Sequence, residues 1–269
     1  MKRLIVTYNQ SCNLHCKFCY IDFHNQKVND KVLEILKKAV EMNFKVITFG
    51  GGDPFSKKSF APACRYAKAS GLFVQVDTNA KAIREHDYEL IGRNIDLLGI
   101  SIDAIGEDYN DFRGAKNLFD KVDNVIKTLN KLSHTPIKVN TVVTKANKDK
   151  LPNIRDYILG CPNVVRWSLY QFFPLSSAES TKNLYEISDE DFEVAVSNLQ
   201  PIKTNIQLEA FKYRDRVNGY LFCDEEGGLY TNSIKGEYVK LFSIFDPASK
   251  GKIDKIEELI NPLTRYRYE

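Results

Sequence analysis

The strongest constraint on this chain is an alternation of patterns. Six short apolar runs that suit strands, at 3–8, 46–49, 73–78, 97–102, 138–143 and 165–172, are separated by runs that suit helices, at 29–43, 59–70, 84–92, 118–132 and 150–159. In the first helical run Val32, Ile35, Leu36, Ala39 and Val40 keep a helical spacing, with Asn29 or Asp30 placed to cap it. In the longest, Val122, Val125, Ile126 and Leu129 form the apolar stripe. Gly71 stands where the 59–70 helix needs a stop. Parallel strands joined through helices cross over with one hand. The expected fold class is therefore α/β, a curved parallel sheet of six strands lined outside by helices.

Composition narrows the class of function. The chain has 269 residues and a net charge of +3, from 38 basic and 35 acidic side chains. That balance gives no strong nucleic-acid or membrane signal. No run of 18 apolar residues occurs and the first residues lack the apolar stretch of a signal peptide, so a cytoplasmic protein is expected. Six cysteines without a paired framework agree with a reducing compartment.

Three of those cysteines, Cys12, Cys16 and Cys19, follow the first strand in the spacing C-x3-C-x2-C. Soft thiolates this close suit iron–sulfur or zinc sites. A [4Fe–4S] cluster normally takes four cysteines, and no fourth is nearby in sequence, so one iron would stay open to another ligand. Zinc prefers a fourth protein ligand, and His15 inside the loop is available to it. A zinc-binding scaffold or sensor is thus the reading from a different class.

The cysteine spacing, with Phe18 before the third cysteine, resembles the signature of the radical SAM superfamily. The resemblance implies an enzyme with a partial (β/α)6 TIM-like barrel and a short C-terminal extension. Residues 1–198 would form the core, and 199–269 would cover the barrel mouth. It also implies that the open iron of a [4Fe–4S] cluster binds S-adenosylmethionine (SAM), whose reductive cleavage releases a 5′-deoxyadenosyl radical. The site then belongs at the C-terminal ends of the strands. Gly51-Gly52-Asp53-Pro54 closes the second strand and is similar to the family's Gly-Gly-Glu-Pro, which binds the methionine amino group. Asp77-Thr78-Asn79 resembles its Thr-Asn-Gly, with Ala80 in place of glycine. Ser101, in Ile100-Ser-Ile-Asp103, and Arg113 match positions that approach the methionine carboxylate. Asp103 is equally a helix cap and Arg113 a salt-bridge partner on a local reading. An electron donor such as flavodoxin or ferredoxin is the implied partner.

Later strands are expected to read the substrate. Alternation puts Lys138 and Asn140 on one sheet face, and Arg166 and Ser168 on the face opposite Trp167. Cations inside a barrel need an anion or one another; the alternative is Lys138 snorkelling at the rim. Val165-Arg-Trp-Ser-Leu-Tyr-Gln171, Lys138-Val-Asn140 and Gly219-Tyr-Leu-Phe-Cys-Asp-Glu225 resemble stretches of viperin-like radical SAM enzymes. Those enzymes dehydrate a nucleoside triphosphate to an antiviral 3′-deoxy-3′,4′-didehydro nucleotide. The resemblance implies Lys138, Asn140, Arg166 and Tyr220 as substrate contacts, with Tyr220 on a strand returning across the mouth. Ser168 stands where that family has a lysine, Val46 where it has another, and Ile5 where it has an asparagine. Maturation of a peptide or a small metabolite is the alternative chemistry on such a core. Only Cys223 lies in the tail, so auxiliary clusters are not expected.

Overall fold

Alternation along each strand decides what the sheet buries. In β1 (Arg3–Asn9) Leu4 and Val6 face one side, as do Ile47 and Phe49 of β2 (Val46–Gly51) and Val74 and Val76 of β3 (Phe73–Thr78). Leu98 and Ile100 of β4 (Leu97–Ser101), Ile137 and Val139 of β5 (Ile137–Val143), and Trp167 and Leu169 of β6 (Val164–Gln171) continue that layer. It shares one core with the apolar faces of α1 (Val32–Glu41), α2 (Phe60–Ala69), α3 (Asp87–Asn94), α4 (Glu107–Arg113), α5 (Leu118–Leu132) and α6 (Leu151–Leu159). Each buried Leu or Ile contributes about 1.5–3 kcal/mol. The helix-facing layer thus holds the fold, and the opposite face is left to polar groups.

The computed structural model describes residues 2–9, 12–21, 30–199, 205–233, 235 and 237–259. Strands β1 to β6 lie side by side in chain order and all run parallel, as the sequence leads one to expect. Asp30 Oδ1 accepts from Val32 N (3.3 Å) at the start of α1, while Asn29 lies outside the described residues. Gly71 follows α2 at φ +77°, a conformation that favours glycine.

Among the described residues the sheet has ten strands rather than six. β7 (Gln207–Phe211) adds parallel to β6. On the other edge β8 (Phe222–Asp224) runs parallel to β1, followed by the antiparallel β9 (Gly228–Asn232) and β10 (Tyr238–Ser243). Open edges of β1 and β6 would present unpaired backbone groups, and these later strands pair them. Their short, mixed sequences carry little periodic signal. Among the described residues the remaining α-helices are α7 (Lys182–Tyr185), α8 (Asp189–Ser197), capped by Ser188 Oγ accepting from Asp191 N (3.0 Å), and α9 (Ser249–Leu259). No helix of the described residues is long and apolar enough to cross a membrane.

Candidate active site

The cysteine loop is held from two sides. Asn79, just past β3, donates from Nδ2 to Asn13 Oδ1 (2.9 Å) and reaches Cys12 Sγ (3.4 Å). From the far side Ser177 Oγ donates to the carbonyls of Cys19 and Ile21 (both 2.8 Å), and Thr181 Oγ1 donates to that of Lys17 (2.7 Å). Phe18 is buried against Phe112, with ring centres 4.5 Å apart, and against Tyr185 at 5.8 Å. Aromatic pairs of this kind contribute about 0.5–1.5 kcal/mol beyond their burial. The loop is therefore a fixed ligand platform.

Burial, as the largest cause, pushes the thiol of Cys12 up to about 11 and that of Cys19 up to about 12, and raises Cys16 as well. Proximity of the three sulfurs adds to the rise for Cys12 and Cys19, while the Arg113 guanidinium opposes it. A bound cation relieves that cost by taking the thiolates as ligands. Among the described residues no three His, Cys, Asp or Glu side chains converge as on a single metal ion. A cubane takes each cysteine on a different iron, so its ligands stand wider than those of one ion. His15 is exposed. Cys64 lies near the Asn94 carbonyl (3.8 Å), Cys161 near that of Tyr157 (3.5 Å), and Cys223 beside Val6 in the sheet. Three thiols on one loop, with the other cysteines elsewhere, fit a [4Fe–4S] cluster that has one open corner.

Beside the loop, the strand ends are tied together by acids. Asp53 has no exposed surface. Its Oδ1 accepts from Phe55 N (3.1 Å), and its Oδ2 accepts from Thr78 Oγ1 (2.7 Å) and Asn79 N (2.9 Å). This joins the end of β2 to the end of β3 and so orients Asn79 toward Cys12. Desolvation raises the Asp53 carboxyl to about 6 in spite of those three donors. Gly51, the last residue of β2, takes φ +97°, and Ala80 takes φ +63°, which explains why glycine is usual at Ala80's place in the resembled motif. Asp103 Oδ2 accepts from Arg113 Nε (2.7 Å) and Nη2 (2.6 Å), and its Oδ1 accepts from Val142 N (2.8 Å). Asp103 thus serves as the arginine's partner rather than as a helix cap. The Arg113 guanidinium lies 4.0 Å from Cys16 Sγ and 5.3 Å from the Phe18 ring centre. Ser101, at the end of β4, pairs in register with Asn140.

On the sheet face away from the helices, Lys138 of β5 is in register with Arg166 of β6. Lys138 has no exposed surface, so the rim position is excluded. Its Nζ donates to Tyr170 Oη (2.8 Å). Arg166 Nε lies 3.7 Å from Glu209 Oε1, and Glu209 Oε2 accepts from Ser168 Oγ (2.7 Å). Asn140 Nδ2 donates to Asp77 Oδ1 (3.0 Å), which also accepts from Gln75 Nε2 (3.0 Å). These two side chains lean over Gly99, where an added Cβ would meet Asp77 Oδ1 at 2.0 Å. Gly52 precedes Asp53 in the turn after β2. Contrary to expectation, Tyr220 is not on a strand returning across the mouth but stands just before β8, which pairs parallel beside β1 at the sheet edge, and its ring lies 5.8 Å from that of Phe222.

Several residues of this constellation carry no motif. Tyr170 shares the alternation of Arg166 and Ser168, a signal sufficient to find it. Glu209, Ser177 and Thr181 stand in segments without periodicity, and only the fold brings them in.

The family model of the radical SAM superfamily matches residues 6–158. The S-adenosylmethionine-dependent nucleotide dehydratase of Lacinutrix mariniflava is 26% identical over 246 residues, covering 83% of this chain and 49% of that protein. The protein of the same description from Flammeovirga pacifica is 25% identical over 246 residues, covering 86% of this chain and 82% of its own. The chain thus spans about half the length of the first relative and most of the second. Native anSMEcpe with bound AdoMet and the Cp18Cys peptide has a TM-score of 0.73 over 99% of this chain and 84% of that one, at 18% identity, a likeness of fold.

Proposed function

This chain belongs to the radical SAM superfamily, and from that premise we propose that it is a viperin-like enzyme that dehydrates a nucleotide. The observation that carries the reading is the Lys138–Arg166 pair, two buried cations in register on the sheet face that also carries Asn140 and Ser168. Buried cations side by side are stabilised by an anion, and a nucleotide's phosphates provide one. The relatives described as nucleotide dehydratases support the same substrate class.

Radical SAM enzymes use a [4Fe–4S] cluster and SAM, which when bound supply the 5′-deoxyadenosyl radical that takes hydrogen from the substrate. Cys12, Cys16 and Cys19 would hold three irons. Asp53 would accept from the methionine ammonium, with Gly51 and Gly52 allowing close backbone approach. Arg113 and Ser101 would face the methionine carboxylate, Asn79 the ribose, and Phe18 would wall the site. Lys138, Asn140, Arg166 and Tyr220 would bind the nucleotide and hold its ribose toward the cluster loop. In this reading residues 1–198 form the core and 199–269 close its mouth. A flavodoxin- or ferredoxin-type donor in the cytoplasm would reduce it.

The test is to incubate the reduced, reconstituted enzyme with SAM and each nucleoside triphosphate in turn. One nucleotide is expected to accelerate release of 5′-deoxyadenosine and to leave as a product lighter by one water. If none accelerates release while a peptide or small metabolite does, the alternative chemistry replaces this reading.

A further inference from the structure

Where the viperin-like sequences carry a lysine, Ser168 here donates to Glu209, and the same glutamate faces Arg166. The middle of β6 therefore presents a carboxylate beside its arginine. A triphosphate carries more charge than Lys138 and a partly neutralised Arg166 balance.

A further cation approaches Tyr170, which stands two residues beyond Ser168 on the same strand face. Arg216, in a short turn after β7, has its guanidinium 5.5 Å from the ring centre of Tyr170 and 5.9 Å from that of Phe173. Tyr170 is the residue whose hydroxyl accepts from Lys138, and the Lys138 ammonium lies 5.4 Å from the same ring centre. One tyrosine thus meets two cations that lie 78 residues apart in the chain (216 − 138). Phe211 stacks on that ring at 5.4 Å, which fixes its plane.

The arginine is anchored rather than waving in solvent. It donates from Nη2 to the Gln171 carbonyl. The Gln171 side chain in turn grips the turn that carries it, accepting at Oε1 from Tyr213 N (2.9 Å) and donating from Nε2 to Asp189 Oδ1 (2.9 Å) and the Ile187 carbonyl (3.2 Å). A preorganised guanidinium loses less freedom on meeting a phosphate than a mobile one. Tyr170 lies about 7 Å beyond Ser168 toward the C-terminal end of β6, given the rise per strand residue.

We infer that Arg216 is a phosphate-binding residue of the substrate pocket, and that the phosphate subsite is displaced from Ser168 toward the strand end, between Lys138 and Arg216. Its ligand is the terminal phosphate of a nucleoside di- or triphosphate. The inference rests on the nucleotide reading above and adds where the chain of phosphates runs. Arg216 positions the substrate and takes no part in the chemistry.

The experiment measures 5′-deoxyadenosine release against concentration for the nucleoside, mono-, di- and triphosphate of the base that stimulates the wild type. Arg216→Met is expected to raise KM for the triphosphate about ten- to a hundredfold, the loss of one charge-assisted hydrogen bond, with kcat changed less than about twofold. It is expected to erase the preference for more phosphates, and to leave the nucleoside response and the slow cleavage without substrate unchanged. Arg216→Lys should recover part of the affinity. Arg214→Met, at an exposed arginine two residues away, should behave as wild type. An unchanged triphosphate KM in Arg216→Met overturns the inference while the nucleotide reading stands. So does a loss shared equally by the nucleoside and the substrate-free reaction, which marks a structural role. If no nucleotide stimulates the wild type, the nucleotide reading fails and takes this inference with it.

Discussion

The two halves of the sheet solve opposite problems. Around β1 to β4 the buried acids are matched by protein groups: Asp53 by Thr78 and two backbone amides, Asp103 by Arg113 and the Val142 amide. Around β5 to β7 cations gather, Lys138 on Tyr170 and Arg166 against Glu209, on a face that leads out to Arg216. The first half is complete in itself and serves to hold a platform. The second places a lysine, an arginine and a carboxylate together on the face away from the helices. In the proposed function the first half positions the cofactor and the second recognises the substrate.

The largest test of that contrast falls on the platform. Replacing Cys12, Cys16 or Cys19 by Ala is expected to abolish both iron binding and SAM cleavage. The same change at Cys64, Cys161 or Cys223 should leave the iron content untouched, since none of these lies on the cysteine loop. Iron analysis after anaerobic reconstitution decides it, and loss of iron in Cys223→Ala would break the single-cluster account.

Next in size is the ion pair. Arg113→Ala leaves Asp103 buried without its cation, which costs about 3–5 kcal/mol. A large fall in unfolding midpoint together with loss of SAM binding is expected. Arg166→Ala, on the β5–β7 side, should cost less stability, and a comparable fall in both variants would contradict the contrast between the two halves.

Asp53→Ala is smaller. Loss of a charge-assisted hydrogen bond is worth about 1.5–3 kcal/mol, so SAM affinity should fall about ten- to a hundredfold with iron retained. The sign of the pH effect follows from the same residue. Its carboxyl, raised to about 6 by burial, is ionised above that value and neutral below it. SAM affinity of the wild type should therefore decline as pH falls through about 6, and Asp53→Ala should lose that dependence. Equilibrium binding of SAM across that range checks both.

The smallest effect is Gly99→Ala. An added methyl meets Asp77 Oδ1 at 2.0 Å and Asn140 Nδ2 at 2.8 Å, so those side chains must move, at a cost of about 1–3 kcal/mol. Nucleotide-stimulated turnover should suffer while iron and SAM binding persist.

Much of the cofactor half was legible in the sequence because its residues follow strand ends at short, fixed spacings. Cys12, Asp53 and Asn79 each sit within a few residues of an apolar run that announces its strand, and Cys16 and Cys19 follow Cys12 at fixed spacing. The six parallel strands were legible for the same reason. Beyond the expected strand at Tyr220, the later strands were not, because β7 to β10 are short elements added outward from β6 and from β1, far away in the chain. The substrate half was readable only as far as alternation reached. Lys138 and Arg166 share a face by period two, and their register confirms it. Glu209 and Arg216 meet that face through tertiary packing alone. That Lys138 is buried under Tyr170 rather than at the rim also depends on packing.

The central claim is that the Lys138–Arg166 face binds a nucleotide without taking part in SAM cleavage itself. The direct measurement compares 5′-deoxyadenosine release with and without nucleoside triphosphate in wild type, Lys138→Ala and Arg166→Ala. The account predicts that both variants keep the slow substrate-free rate and lose most of the nucleotide stimulation. Stimulation equal to wild type in both variants would contradict it.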